Sequence, residues 1–260
     1  NPALNKEEFI KAILTGLTPP PGYFPKNVLM NIQGYESLDT VLERGHKALT
    51  AENFEMVANE TNALVLDTRN ATDFANGFIP NSINIGLDGS FAQWVGEMIP
   101  DIKQEILLVS NPGYEDEAMI RLSRVGYDGS IGYLEGGFDA WKKAGKEVDT
   151  VKRITAEQFA TIHENEKPLT IDIRKKSEFQ SQHITDAVNI PLNEINNHLA
   201  EFPKDKPFIL HCAGGYRSMI AASMLKQRGW DNFSDVIGGF TEIAKTNVPK
   251  SEYICPSTML

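Results

Sequence analysis

The chain has 260 residues, of which 41% are hydrophobic, and it carries a formal net charge of −10 at pH 7. This length and hydrophobic content predict one large or two modest packed domains and exclude extensive disorder. The negative charge argues against nucleic acid as a partner, because nucleic-acid-binding surfaces are basic. No apolar run approaches the length of a membrane span, so we expect no membrane partner.

Residues 1–48 are predicted to form a short helical segment and linker. Asn5–Glu8 can form a capping box ahead of an apolar helical face that begins at Phe9. Pro19–Pro25 predicts an irregular loop, and Asn27–His46 is predicted to be partly helical. This segment has no predicted strands, and it is too short to form a hydrophobic core of its own.

The remainder of the chain contains an internal repeat. Thr50–Phe54 recurs as Thr155–Phe159 at an offset of 105 residues, and each threonine is placed to cap a short helix. Leu64–Arg69 recurs as Leu169–Arg174 at the same offset, as an apolar strand that ends in polar residues. A later loop is three residues shorter in the second copy, after which the offset becomes 102.

The repeat predicts both the fold and the domain boundaries. Gly136–Phe138 recurs as Gly238–Phe240, a Gly-Gly-Phe motif near the end of each copy. Strands alternate with helices throughout both copies, which predicts a parallel sheet covered by helices on both faces. We therefore expect an α/β fold with two tandem domains, at residues 49–150 and 151–260.

The second copy contains a motif suited to nucleophilic catalysis. Pro207–Leu210 predicts a buried strand and Met219–Arg228 predicts a helix, so Cys212 lies where a strand ends and a helix begins. The free amides and partial positive charge of a helix N-terminus favour a thiolate. Gly214–Gly215 allows left-handed backbone and close approach to a ligand, and Arg217 adds a fixed positive charge.

This stretch resembles the active-site loop of the rhodanese family of sulfurtransferases, in which a cysteine opens a six-residue loop. The resemblance covers roughly residues 49–260, since each copy matches one α/β domain of that family. It implies that Cys212 is the nucleophile, becomes a persulfide and passes its outer sulfur to an acceptor. Phosphatases of the same fold have one more residue before the arginine, whereas Arg217 is here the sixth residue of the loop.

The other residues of the loop, and Ser218 directly after it, are expected to bind the substrate. Their backbone amides would form an anion cradle that stabilises the persulfide and the leaving group. These substrate-binding residues are Ala213, Gly214, Gly215, Tyr216 and Ser218. Tyr216 is expected to form part of the pocket wall. Arg217 has two open roles, because its guanidinium can contact the substrate or brace the loop against a carboxylate.

The first copy is predicted to be a structural domain without catalytic activity. Ser110 stands at the position of Cys212, and a hydroxyl cannot form a persulfide. Pro112 replaces a glycine and removes a backbone donor from the cradle. Glu115 replaces Arg217, and a carboxylate repels the anion that the loop should hold.

Five further residues are candidates for supporting roles. Asp172 and Arg174 match the Asp-x-Arg of the rhodanese family, and we expect them to form an ion pair that fixes the turn after the strand. His211 is expected to be a buried support, because adjacent strand residues point to opposite faces of a sheet. His183 is expected to contribute packing. Cys255 is either an acceptor of sulfur from Cys212 or an inert thiol.

Residues 1–48 resemble the terminal piece of a metallo-β-lactamase-fold hydrolase, of the type fused to rhodaneses in persulfide dioxygenases. This resemblance implies a metallo-hydrolase domain as a partner outside this chain. The chain begins at Asn1 without an initiator methionine or signal peptide, and we expect it to be a fragment. The hydrolase motif His-x-His-x-Asp-His is absent and the five histidines are scattered, so no metal centre and no cofactor are expected.

We therefore predict a sulfurtransferase that moves sulfane sulfur from thiosulfate or a low-molecular-weight persulfide to a thiol or another nucleophile. One alternative is a phosphatase or arsenate reductase of the same fold, which the loop length disfavours. The other is a non-catalytic binding or regulatory module, which the intact second loop disfavours. The two cysteines are too few for a disulfide framework, so we expect a reducing compartment such as the cytoplasm.

Overall fold

The computed structural model describes residues 4–14 and 23–255. Three helices precede the repeat: α1 (Lys6–Leu14), α2 (Phe24–Gln33) and α3 (Leu38–Gly45). The predicted irregular loop extended to Pro25, but the structure places Pro25 in the first turn of α2. A proline is tolerated there because its missing amide would have no helical partner. The part of that loop before Tyr23 lies outside the described residues.

The first repeat is a five-stranded parallel sheet with five helices. Its strands are β1 (Ala48–Leu49), β2 (Leu64–Asp67), β3 (Ile83–Asn84), β4 (Ile106–Val109) and β5 (Ser130–Leu134). Its helices are α4 (Ala51–Thr61), α5 (Ala71–Asn76), α6 (Phe91–Met98), α7 (Glu115–Ser123) and α8 (Gly137–Lys143). The strand order is β1-β5-β4-β2-β3, so β4 is central.

The second repeat has the same sheet topology. Its strands are β6 (Arg153–Ile154), β7 (Leu169–Asp172), β8 (Val188–Asn189), β9 (Phe208–His211) and β10 (Phe233–Val236). Its α-helices are α9 (Ala156–Glu166), α10 (Lys176–Ser181), α11 (Tyr216–Gln227) and α12 (Gly239–Ile243). The order β6-β10-β9-β7-β8 makes β9 central. Two 3₁₀ helices, Leu192–Asn197 and Leu199–Glu201, lie where the first repeat has α6.

The predicted α/β architecture of two tandem domains is confirmed. Both predicted threonine caps form: the Thr50 hydroxyl accepts a hydrogen bond from Asn53 N at 3.3 Å, and Thr155 forms a capping box with Gln158. Every residue of β4 is buried, because helices cover both faces of its sheet. The burial of Ile106 and its three neighbours in β4 agrees with a strand that contains no polar side chain.

The two sheets share one hydrophobic core. The side chains of Ile106 and Leu108 from β4 belong to the same buried cluster as Leu210 from β9. Leu107, which points to the other side of β4, packs in a separate cluster with Trp141 of α8. Burial of large apolar side chains is the main stabilising contribution to such a fold. The inner faces of the two repeats are thus packed against each other.

Helix α11 lies at this shared core and contacts the first repeat directly. Its residues Ser218 to Leu225 are all buried, so the helix has no exposed face over this stretch. The Ser223 hydroxyl accepts a hydrogen bond from Asn84 N at 3.0 Å, and Gln227 Nε2 donates to Asn81 O at 3.0 Å. The first repeat therefore holds the helix that follows Cys212.

Candidate active site

Cys212 lies at the carboxyl end of the central strand β9, directly before the loop that leads into α11. Its side chain is 1% exposed, and Gly215 N donates a hydrogen bond to Cys212 Sγ at 3.1 Å. The backbone of Gly215 has φ = 102°, a left-handed conformation that favours glycine. This turn folds the loop back so that an amide points at the sulfur. A contact of this kind stabilises the thiolate more than the neutral thiol.

The structure corrects the predicted start of the helix and the role of one glycine. The helix begins at Tyr216, three residues earlier than the apolar spacing predicted, because the left-handed Gly215 already turns the chain into it. Gly214 does not have a positive φ, and a Cβ atom there would meet no atom within 4 Å. Gly214 therefore leaves the mouth of the site open, whereas Gly215 supplies the required backbone conformation.

The amides at the start of α11 lie outside the helical hydrogen-bond ladder. The first such bond in the helix is donated by Met219 N to Gly215 O, at 3.2 Å. The amides of Tyr216, Arg217 and Ser218 precede it and have no helical acceptor. Together with the aligned peptide dipoles, they give this end of the helix a partial positive charge. The predicted cradle can thus stabilise an anion beside the Cys212 sulfur.

The Gly-Gly-Phe motif of the second repeat supports the loop from behind. Phe240 N donates to Cys212 O at 2.7 Å, and Thr241 N donates to Ala213 O at 3.0 Å. A Cβ atom on Gly239 would lie 2.4 Å from Cys212 O, and its φ is 55°. Only glycine permits this close approach without a shift of the backbone. The motif therefore fixes the carbonyl of the nucleophile's own residue.

His211 contacts the backbone of the loop, and the hydrogen bond of its ring goes to the carbonyl of Cys212 and not to the sulfur. Its ring is fully buried, and Nδ1 donates a hydrogen bond to Cys212 O at 3.1 Å. Burial lowers the pKa of His211, which favours the neutral ring. The residue is positioned as a support for the loop backbone, as strand alternation predicted, rather than as a base for Cys212.

Arg217 forms a two-armed ion pair with Glu178 of α10. Its Nη1 donates to Glu178 Oε2 at 2.6 Å and its Nη2 donates to Glu178 Oε1 at 2.8 Å. Burial opposes both charges, but their contact raises the pKa of Arg217 and lowers the pKa of Glu178. Of the two roles left open by the sequence, this geometry matches the brace, because both arms of the guanidinium are engaged by a carboxylate.

We expect this brace to contribute measurably to stability. In a double-mutant cycle with Arg217→Gln and Glu178→Gln, the coupling energy should be about 1–2 kcal/mol, since each single variant leaves a half-buried partner without its counterion. Urea unfolding of the four proteins measures it. A coupling energy near zero would contradict the brace and return Arg217 to the role of a substrate contact.

Cys212 opens onto a pocket of about 530 Å³ that both repeats line. Its lining residues are Ser90, Gln93, Trp94, Lys175, Glu178, Cys212, Gly214, Tyr216 and Arg217. Among the predicted site residues, Ala213 and Gly215 of the loop and Ser218 directly after it do not line this pocket. Ser218 is fully buried, and its hydroxyl donates to Gly215 O at 3.2 Å.

Tyr216 connects the loop to the first repeat. Its hydroxyl donates to Gly86 O at 2.7 Å, and its ring lies so close to Gly89 that a Cβ atom there would be 2.3 Å from it. Burial raises the pKa of Tyr216 far above its ordinary value, so the hydroxyl stays protonated and can donate. Tyr216 is part of the pocket wall, as predicted, and also ties that wall to the first repeat.

Five pocket residues were missed by the sequence analysis. Glu178 and Lys175 follow the Asp-x-Arg motif within four residues, and this proximity to a recognised motif was an available signal. Ser90, Gln93 and Trp94 come from the first repeat, at or near α6. The only sequence signal for them was that the loop after β3 is longer in the first copy than in the second.

The Asp-x-Arg motif has the same structural role in both repeats. Arg174 Nη2 donates to Asp172 Oδ2 at 2.6 Å and to Gln182 O at 2.8 Å. In the first repeat, Arg69 Nη2 binds Asp67 Oδ2 at 2.5 Å in the same way. These pairs fix the turn after a strand, and neither arginine lines the pocket of Cys212. His183 stacks on the ring of Phe179 with 3.9 Å between centroids, and Cys255 is exposed.

The equivalent loop of the first repeat is closed by its own side chains. Ser110 is 2% exposed, and its hydroxyl lies 2.8 Å from that of Thr68. Gly113 stands at the position of Gly215, and its amide donates to Glu115 Oε2 at 2.8 Å. The amide that faces the sulfur in the second repeat is therefore occupied by a carboxylate in the first. This contact adds a physical reason to the three substitutions seen in the sequence.

The described residues contain neither a cluster of metal ligands nor a membrane-spanning helix. Within residues 4–14 and 23–255, no three His, Cys, Asp or Glu side chains are grouped so that they could hold a metal ion. None of the helices that the structure describes is both long enough and apolar enough to cross a membrane.

A sequence model of the rhodanese-like domain matches residues 50–144 and again residues 155–246, which together are more than half of the chain. The protein therefore belongs to the rhodanese-like family and contains two such domains in tandem. The first match runs from the start of α4 through α8 and the second from the start of α9 through α12, and the short strands β1 and β6 lie directly before them.

Relatives of this chain include named sulfurtransferases. The thiosulfate sulfurtransferase GlpE of Pseudomonas syringae pv. syringae is 34% identical over 99 residues, which cover 38% of this chain and 92% of that protein. A sulfurtransferase of Allochromatium vinosum is 30% identical over 100 residues, which cover 38% and 94%. The crystal structure of a rhodanese-related protein from Thermoplasma volcanium is 30% identical with a TM-score of 0.35, covering 38% of this chain and 97% of that one.

Proposed function

We propose that this protein is a sulfurtransferase in which Cys212 carries the transferred sulfur as a persulfide. In the first step, the Cys212 thiolate attacks the outer sulfur of thiosulfate. A bond forms between Cys212 Sγ and that sulfur, and the bond to the sulfite sulfur breaks, with its electron pair leaving on sulfite. The three negative charges of the reactants are shared afterwards between the persulfide and sulfite, so no oxidant or reductant is needed.

In the second step, a thiolate acceptor attacks the outer sulfur of the Cys212 persulfide. The new bond joins the acceptor to that sulfur, and the Cys212 thiolate leaves with the electron pair of the broken bond. A low-molecular-weight persulfide can replace thiosulfate as the donor by the same displacement, with its thiolate as the leaving group. The loop amides and the start of α11 stabilise the anions that develop at Cys212 in both steps.

One observation carries this proposal: the amide of Gly215 points at Cys212 Sγ from 3.1 Å, in a loop whose arginine is the sixth residue. The first feature favours a thiolate, and the second matches the length that handles sulfur rather than phosphate in this fold. The naming of two relatives as sulfurtransferases adds support.

We also propose a place for this activity in a larger system. The helices α1 and α2 expose apolar side chains, among them Ile13, Leu14 and Ile32. A neighbouring domain that covered them would remove this surface from water. On the basis of the resemblance of residues 1–48, we propose that a metallo-hydrolase domain which oxidises persulfides is this neighbour, in the cytoplasm.

Parallel assays test the function against its rivals. The protein is given thiosulfate with cyanide, and thiocyanate is measured; a second sample is given an aryl phosphate, and released phosphate is measured. We expect thiocyanate to form and phosphate release to stay at the level of the Cys212→Ser variant. Phosphate release without thiocyanate would identify a phosphatase instead, and neither product would indicate a binding module.

A further inference from the structure

We propose that Lys175 binds the acidic group of the sulfur donor or acceptor, and that the enzyme therefore selects substrates carrying sulfonate or carboxylate oxygens. This inference rests on the proposed function and assigns a substrate-selecting residue outside the loop. Two cationic residues line the pocket, Lys175 and Arg217. The charge of Arg217 is not available to a substrate, because both of its terminal nitrogens are bound to Glu178.

Lys175 lines the same pocket as Cys212 and is the cation that remains. Its side chain is exposed, and it forms no ion pair with any residue in the described ranges 4–14 and 23–255. Its backbone is held in place, since Lys175 N donates to Glu178 Oε2 at 3.1 Å. Lys175 therefore lines the pocket from a fixed backbone position, with an exposed side chain whose charge no salt bridge within the described residues compensates.

Among the charged side chains that line the pocket, Lys175 carries the positive charge that no carboxylate in the described part of the chain pairs with. The charges of Arg217 and Glu178 cancel within their pair. Burial raises the pKa of Glu97 and the positive charge of Lys175 lowers it, but Glu97 neither forms an ion pair with Lys175 nor lines the pocket. In a chain of net charge −10, an anionic substrate needs such a local cation.

The facing wall supplies neutral donors suited to acidic oxygens. Ser90 and Gln93 line the pocket from the first repeat, and the Ser90 hydroxyl forms no cap hydrogen bond to α6. A hydroxyl and a carboxamide N–H can both donate to sulfonate or carboxylate oxygens. The substrate would thus place its sulfur at Cys212 and its acidic group between Lys175 and this wall.

The chain offers a matched control for Lys175. Lys176 is the next residue and carries the same charge, but its Nζ pairs with Glu194 Oε2 at 3.0 Å and it does not line the pocket. Lys175→Gln and Lys176→Gln therefore change the net charge of the protein equally. A difference between the two variants reports on contact in the pocket rather than on the overall field.

The first measurement is the rate of sulfur loading on Cys212 against thiosulfate concentration, followed by intact mass after rapid quenching. For Lys175→Gln we expect the half-saturating thiosulfate concentration to rise about tenfold, as for loss of one charge-assisted hydrogen bond, with the plateau rate little changed. Lys175→Arg should stay near the wild type, and Lys176→Gln should differ by less than about twofold. Equal behaviour of Lys175→Gln and Lys176→Gln would overturn the proposal.

The second measurement separates this inference from the proposed function. Thiosulfate binding to the Cys212→Ser protein is measured by calorimetry, with and without Lys175→Gln, and we expect affinity to fall about tenfold in the double variant. This result does not depend on any turnover. If wild-type protein loads no sulfur, the proposed function fails; if Lys175→Gln leaves thiosulfate affinity unchanged, the assignment of Lys175 fails.

Discussion

Replacing Cys212 by serine is expected to lower sulfur transfer by at least about a thousandfold, because the variant loses the nucleophile itself. A serine hydroxyl is not ionised at neutral pH, and its oxygen cannot carry a persulfide. The fold should persist, since the smaller hydroxyl can still accept the hydrogen bond that Gly215 N makes to Cys212 Sγ. The measurement is thiocyanate formation from thiosulfate and cyanide, with thermal unfolding as a check on folding.

The matched control is Cys255→Ser. Cys255 is exposed near the carboxyl end of the described chain, and it does not line the pocket of Cys212. We expect this variant to keep the wild-type rate of thiocyanate formation. Activity that survives Cys212→Ser and disappears in Cys255→Ser would show that the wrong cysteine had been assigned.

The substitution Ser110→Cys is expected to leave the first repeat without sulfurtransferase activity. In a Cys212→Ser background, the cysteine introduced at position 110 is the thiol of the first loop, and the second loop has none. The Glu115 carboxylate still occupies the Gly113 amide at 2.8 Å, so that amide cannot stabilise a thiolate. Each lost donor or opposing charge in a desolvated site costs on the order of 1–3 kcal/mol. The expected rate is that of Cys212→Ser alone.

Further substitutions identify the cause of this inactivity. Adding Glu115→Arg and Pro112→Gly to Ser110→Cys removes the blocking carboxylate and restores an amide to the loop. We expect thiocyanate formation to reappear in part. Full activity of Ser110→Cys by itself would show that loop amides and charge matter less than the structure indicates. Inactivity of the repaired loop would mean that side chains outside the three substituted positions close the site, such as Thr68, whose hydroxyl lies against position 110.

Most of the fold could be predicted from the sequence because the same pattern of strands and helices occurs twice in the chain. The offset of 105 residues aligned helix caps with helix caps and strands with strands, and periodicity within each copy then predicted parallel sheets. The first residue of α11 was harder to predict from the sequence. Its start depends on the left-handed backbone of Gly215, whereas apolar spacing becomes regular only from Met219 onward.

The loop of the candidate site was predictable, but its surroundings were not. Cys212 and Arg217 lie in one continuous stretch, so strand, glycine and helix signals identify them together. Trp94 and Gln93 reach the pocket only because α11 packs against the first repeat, more than a hundred residues away in sequence. Local patterns contain no information about which surfaces of two domains will meet. The role of Arg217 was open for the same reason, since its partner Glu178 lies on another helix.

Covalent transfer of sulfur to Cys212 can be detected directly by measuring the intact mass of the protein. The protein is incubated with thiosulfate, separated from excess donor and weighed before and after treatment with cyanide. We expect one added sulfur atom per chain, located on Cys212, absent in Cys212→Ser and removed by cyanide. No added sulfur, or an adduct that Cys212→Ser retains, would contradict it.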